Sequence, residues 1–307
     1  MNTPSQRAVR IRGAFLGLLL LAAAVAAIVS RRSATERVSD AFLNAPTWMF
    51  MALALSVAIT PLLTAAVFWI LTRRYGRVGF GEMGSLILAA WLLNYLPLWP
   101  GMFSRVAYHR LVNGIPVRDS ARVIVQAGAV SGIAAGLVGV LVLAVALPLG
   151  ITGWSAATVG VSGGMICAAL ALVTCRSAKM PHMWRYFGTT AVRTLELSVW
   201  ALRYALAVRI VGGEVSADGA LTIAALVQIA VLLPIAPNGI GVREWAVGIA
   251  ASGFAIGIAA ETGLAAGLLD RGMEVLVAVP LGLMAAGWLA RRRKQLGVEI
   301  SADPNAA

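Results

Sequence analysis

LPIAPNGIGVRE, residues 233–244, decides how this chain is read. It closes an apolar run, yet it holds Pro234 and Pro237, Gly239 and Gly241, Asn238, and an adjacent Arg243 and Glu244. Proline lacks a backbone donor and breaks a helix, and glycine opens conformations that other residues avoid. A helix interrupted at membrane depth is tolerated only where protein buries the freed backbone or where it lines a polar cavity. Residues 94–105, NYLPLWPGMFSR, repeat the pattern with Asn94, Pro97, Pro100, Gly101 and Arg105. With Asn238 counted as one insertion, the two stretches superimpose from the first proline to the arginine. Two broken hydrophobic segments in corresponding halves point to a transporter-type binding site.

The composition agrees with a membrane setting. Of 307 residues, 60% are hydrophobic and 12% are charged. A water-soluble fold has no place for so much apolar surface, so the class is an all-α polytopic membrane protein. The net charge of +12 sits in short basic clusters beside apolar runs. That is the positive-inside pattern, and it implies no nucleic-acid partner. Cys167 and Cys175 share one apolar run, which indicates neither a disulfide nor a metal site. No nucleophile–base pair or phosphate loop stands out, so neither an enzyme nor a cofactor is expected.

Taken in order, the chain predicts six full spans and two re-entrant segments. The first span falls within residues 10–30. Ala14 to Ser30 also resembles a cleaved signal sequence, but a multi-span protein needs none, and a retained span is preferred. Residues 31–45 read as a charge-mixed loop. Further spans follow at 46–71, 123–149, 156–174, 187–211 and 263–290, with a connector over 245–260. The broken segments 80–99 and 221–234 each enter and leave on one side. This keeps Arg105, Arg110, Arg118 and Arg122 with the other basic clusters on the cytoplasmic side. Both termini are then cytoplasmic. Residues 1–294 form one transmembrane domain, with halves at about 46–149 and 187–290 in opposite orientation, and 295–307 form a short tail. Such inverted halves place a substrate near the midplane.

Charges inside apolar runs cost about 2.5–3.5 kcal/mol each on insertion scales, so they pair or line a polar path. Arg193, Glu196, Trp200 and Arg203 recur at helical spacing and share one face. Asp270, Arg271 and Glu274 occupy one turn of the last span. Asp270, Arg271 and Glu274, with Glu196 and Arg203, fit a coupling site or a structural ion cluster; Arg193, Glu196 and Arg203 also fit a polar path, and Arg193 alternatively snorkels to an interface. Arg243 and Arg105 each follow a helix break, where free backbone N–H groups and a guanidinium suit a phosphate. The competing role is an ion pair for Arg243 and a headgroup-layer position for Arg105. Asn94 and Asn238 fit caps of broken helix ends or substrate contacts; Gly101, Gly239 and Gly241 open the backbone beside them.

LPIAPNGIGVRE, followed by LLDRGMEV in the last span (residues 268–275), resembles the lysylphosphatidylglycerol synthase transmembrane-domain family, and NYLPLWPGMFSR resembles its first-half motif. That family includes flippase regions of multiple peptide resistance factors and hopanoid-associated membrane proteins. The resemblance implies a flippase-like protein of the bacterial cytoplasmic membrane that handles anionic phospholipids or lipid-linked headgroups. Substrate contacts would fall to Arg243, Arg105, Glu244 and the neighbouring Asn and Gly residues. A second role it allows is a non-transporting accessory of a lipid-modifying or lipid-synthesising enzyme. Two departures are visible. The soluble aminoacyl-transferase domain of the synthases has no counterpart in the 307 residues. The span after the first motif, which in the family carries charges, offers only Gln126 and Ser131.

Overall fold

The computed structural model describes residues 32–95, 100–146, 183–232, 239–253 and 257–296, with isolated positions between 19 and 26. Among these residues the chain is helical: α1 (Arg32–Asn44), α2 (Thr47–Thr72), α3 (Phe80–Leu93), α4 (Pro100–Val112), α5 (Val117–Ala146), α6 (Met183–Ile210), α7 (Ala217–Leu232), α8 (Val242–Gly253) and α9 (Ala260–Gln295). The spans expected within 10–30 and at 156–174, most of the tail, and Pro97, Pro234, Pro237 and Asn238 lie outside the described residues. α2, α5 and α9 are long and apolar enough to cross a membrane. The 28-residue α6 matches them in length but carries Arg193, Glu196, Arg203 and Arg209.

Two segments differ from the sequence reading. Residues 32–44 are helix rather than loop. Their charges alternate with Val38, Ala41 and Phe42; Val38 packs against the α6–α8–α9 core, and Phe42 meets Phe50 edge-on at 5.1 Å. Residues 242–253 are helix rather than connector. WAVGIAASG reads as a linker because it is small and glycine-containing, but those small residues let α8 lie close against α9. Gly248 faces Leu264, and Gly263 faces Ala251. Val247, Ala250 and Ala251 are fully buried there.

The ends of the first broken hairpin meet. Asn113, just past α4, donates to Glu82 in the first turn of α3 at 3.1 Å. Ile115 packs into the cluster of Leu71, Val78 and Met83. Arg292 at the end of α9 reaches the same Glu82 at 3.2 Å. Arg73, Arg74, Arg77 and the Arg291–Lys294 run therefore gather at one end of the molecule. At the other end, Val215 before α7 packs with Ile258 and Leu264, and Gly213 abuts Thr262. So α7 and α8 also start and finish together.

The main helix contacts have a two-part order. α3 packs on α9 as α7 packs on α5; α2 packs on α3 as α6 packs on α7. Likewise α4 meets α5 as α8 meets α9, and α5 meets α6 as α9 meets α2. α2 and α6 pack on each other at the centre, through Met49, Leu53 and Val57 against Leu206 and Ile210.

The outer surface is apolar, with Leu55, Leu276, Leu283 and Met284 exposed, while Arg203, Glu244, Asp270 and Glu274 are buried. This is the arrangement lipid requires, with polar groups turned inward.

Gly101 fixes the first hairpin. A Cβ there would collide with the Ala90 carbonyl and with the Asn94 side chain. The obstacle at Ala90 is backbone and cannot swing aside. Gly101→Leu is expected to separate α3 from α4 and to destabilise the fold by about 1–3 kcal/mol, as overpacking typically does. A lowered thermal unfolding midpoint in detergent checks this; an unchanged midpoint contradicts it.

Candidate functional site

The polar side chains converge on a cavity of about 390 Å³ between the two hairpins and the α2–α6 pair. Its size suits a small-molecule site. Thr60 and Thr64 line it from α2, Trp91 and Asn94 from α3, and Gly101, Met102 and Arg105 from α4. Arg193, Glu196, Trp200 and Arg203 come from α6, Gln228 from α7, Arg243 from α8 and Glu274 from α9. Gly239, just before α8, also lines it; its φ of +66° is one that glycine adopts freely.

Most of the charge is internally paired. Arg203 grips Asp270 with two hydrogen bonds of 2.9 Å. Arg243 reaches Glu274 at 2.8 Å and Asp270 at 3.3 Å. Arg271 bonds Glu244 at 2.8 Å and approaches Glu274 at 3.7 Å. Three arginines and three carboxylates thus form one neutral network across α6, α8 and α9. Trp91 donates to Glu274 at 2.9 Å, and Arg203 donates to Thr60 at 3.3 Å, which ties in α3 and α2. A second neutral unit stands apart: Arg193 and Glu196 pair at 2.6 Å, and Thr64 donates to the other Glu196 oxygen at 2.7 Å.

Arg105 is different. It is only 9% exposed, its guanidinium lies 3.9 Å over the Phe68 ring, and no carboxylate among the described residues pairs with it. Three further polar atoms of lining residues are buried without a partner among the described residues: the donors Arg193 Nε and Trp200 Nε1, and the acceptor Asn94 Oδ1. A buried donor left unsatisfied costs about 1–3 kcal/mol. Arg105, a cavity-lining cation with no carboxylate partner among the described residues, fits an anion.

The residues singled out in the sequence divide accordingly. Arg105, Arg243, Asn94, Gly101, Gly239, Glu196, Arg203 and Glu274 reach the cavity. Glu244, Asp270 and Arg271 are held behind it in the ion-pair network. Pro100 begins α4, and Gly241 (φ +80°) precedes α8. Thr60, Thr64 and Trp91 are additions from the structure. Ser56, Thr60 and Thr64 recur every fourth residue of an apolar helix, and that polar stripe was the available signal.

These features define a helical membrane protein with an arginine-lined cavity between its helices. Residues 14–282 match the family model described as the lysylphosphatidylglycerol synthase TM region, and the chain belongs to that family. The family is one of membrane proteins associated with lipid handling. No curated protein matches the chain.

Proposed function

We propose that the protein is a flippase-like lipid translocase of a bacterial cytoplasmic membrane, and that its cavity receives a phosphate-bearing headgroup while the acyl tails stay in the bilayer. The observation that carries this is Arg105, a buried cation with no carboxylate partner among the described residues, lining a cavity whose wall also includes Arg193 and Trp200. Gly101 and Met102 line the same cavity, so the positive end of α4 adds to the attraction. Arg243 lies in the neutral network, and its role in this reading is to hold α8 onto α9. The headgroup ligand is Arg105.

The matched contacts of the two halves support inverted repeats that rock against each other around the site. The meeting ends of α3 and α4, and of α7 and α8, support two re-entrant hairpins that return to opposite sides. Accessibility tests this topology. A cysteine at the exposed Val117, beyond the first hairpin, is expected to resist an impermeant reagent in intact cells. One at the exposed Ser216, before the second, is expected to react. Labelling at Val117 removes the re-entrant arrangement.

Transport itself is read in proteoliposomes. With a tail-labelled phosphatidylglycerol as probe and quenching from outside, wild type is expected to exchange the probe between leaflets and Arg105→Met to lose most of that exchange. Equal exchange by a folded Arg105→Met contradicts the mechanism. No exchange by wild type, with an enzyme co-purifying stoichiometrically, points instead to an accessory role.

A further inference from the structure

We infer that the cavity accepts a headgroup carrying one net negative charge, and that Glu196 sets this limit by neutralising Arg193. The inference rests on the headgroup reading above and adds the charge class of the ligand.

The charged groups on the cavity wall are Arg105 from α4, Arg193, Glu196 and Arg203 from α6, Arg243 from α8 and Glu274 from α9. Among the described residues, α2, α3, α5 and α7 present none there. Arg203 and Arg243 are balanced by Asp270 and Glu274 in the network that also joins Arg271 to Glu244. Arg193 is balanced by Glu196 at 2.6 Å. Thr64 holds the second Glu196 oxygen at 2.7 Å, so the carboxylate is fixed in place. Arg193 therefore contributes an Nε–H donor but no net charge. Among the described residues of the wall, one uncompensated cation remains, Arg105.

A phosphodiester, with a single charge, matches that cation. A phosphomonoester carries about two negative charges above its second pKa of about 6. Its extra charge meets Glu196 and Glu274 on the same cavity wall, and like charges repel. A positively charged headgroup group would face Arg105 and Arg193 instead. Without Glu196, Arg193 would supply the second cation that a phosphomonoester needs. Glu196 is thus a specificity-determining residue.

The test titrates dihexanoylphosphatidylglycerol, a phosphodiester, and dihexanoylphosphatidic acid, a phosphomonoester, into the purified full chain in a neutral detergent. The pH runs from about 5 to about 8, across the second phosphate ionisation. Wild type is expected to bind the phosphodiester with little change over this range. That control also reads any titration of the protein, including His109, which lines a small pocket with Arg105. Affinity for the phosphomonoester is expected to fall roughly tenfold as its second proton leaves, an effect of about 1.4 kcal/mol. Glu196→Gln is expected to raise the phosphomonoester-to-phosphodiester affinity ratio at the upper pH by a similar factor. If that variant does not fold, the wild-type pH comparison decides alone. Equal wild-type affinity for both lipids at the upper pH overturns the inference and leaves the headgroup reading standing, as does an unchanged ratio in folded Glu196→Gln. If neither lipid binds at any pH, both fall. Inorganic phosphate forms a third arm: binding as tight as that of the phosphomonoester, with the same pH fall, supports the charge limit and assigns it to a free anion rather than a lipid.

Discussion

Arg203→Ala is expected to lower the stability of the folded protein by about 3–5 kcal/mol, the cost of leaving a buried charge without its partner. Arg203 is 2% exposed, and its guanidinium satisfies both oxygens of Asp270, itself 1% exposed. Without it, Asp270 keeps only the 3.3 Å contact with Arg243, which already serves Glu274 at 2.8 Å. The strain then spreads to α3 through the Trp91–Glu274 hydrogen bond. A large drop in thermal unfolding midpoint, or loss of monodisperse protein on extraction, is the expected readout. The double variant Arg203→Leu, Asp270→Leu removes both charges and is expected to recover much of the loss. A single variant as stable as wild type would mean that the network does not hold α6, α8 and α9 together.

Arg105→Met is expected to behave in the opposite way. It should abolish binding of anionic lipid, yet leave stability within about 1 kcal/mol of wild type. Lost stacking on Phe68 costs about 0.5–2 kcal/mol, and removal of an uncompensated buried charge offsets it. Melting with and without added anionic lipid reads both effects at once. Wild type gains stability from a ligand that binds only the folded state, and the variant gains none. A variant that melts far below wild type without lipid would make Arg105 structural.

The contrast between these two arginines was only partly legible in the sequence. The broken motifs themselves, and the arginine after each, could be read directly: Pro100 and Gly101 begin α4 and Gly239 and Gly241 precede α8, while Pro97, Pro234 and Pro237 lie outside the described residues. What differs between the halves is the following span. LLDRGMEV gives Arg243 its carboxylates, whereas the span after Arg105 offers Gln126 and Ser131. In the sequence that absence reads as a weakened site. In three dimensions it leaves Arg105 stacked on Phe68 with no carboxylate partner among the described residues. The assignment of Asp270 to Arg203, 67 residues away, depends on α6 packing against α9, which no local pattern encodes. α8 was missed for a related reason: its small residues look like a linker until Gly263 and Leu264 of α9 are placed against them. α1 was missed because a mixed-charge stretch has little periodicity, and its apolar residues find their partners in distant elements, Phe50 of α2 and the α6–α8–α9 core.

In the proposed mechanism Arg105 holds an anionic headgroup in the cavity. The most direct measurement is mass spectrometry of lipids that co-purify with gently extracted protein, comparing wild type with Arg105→Met. The account predicts that one class of anionic lipid is enriched with wild type and lost from a variant that folds equally well. The same bulk lipids in both preparations would contradict it.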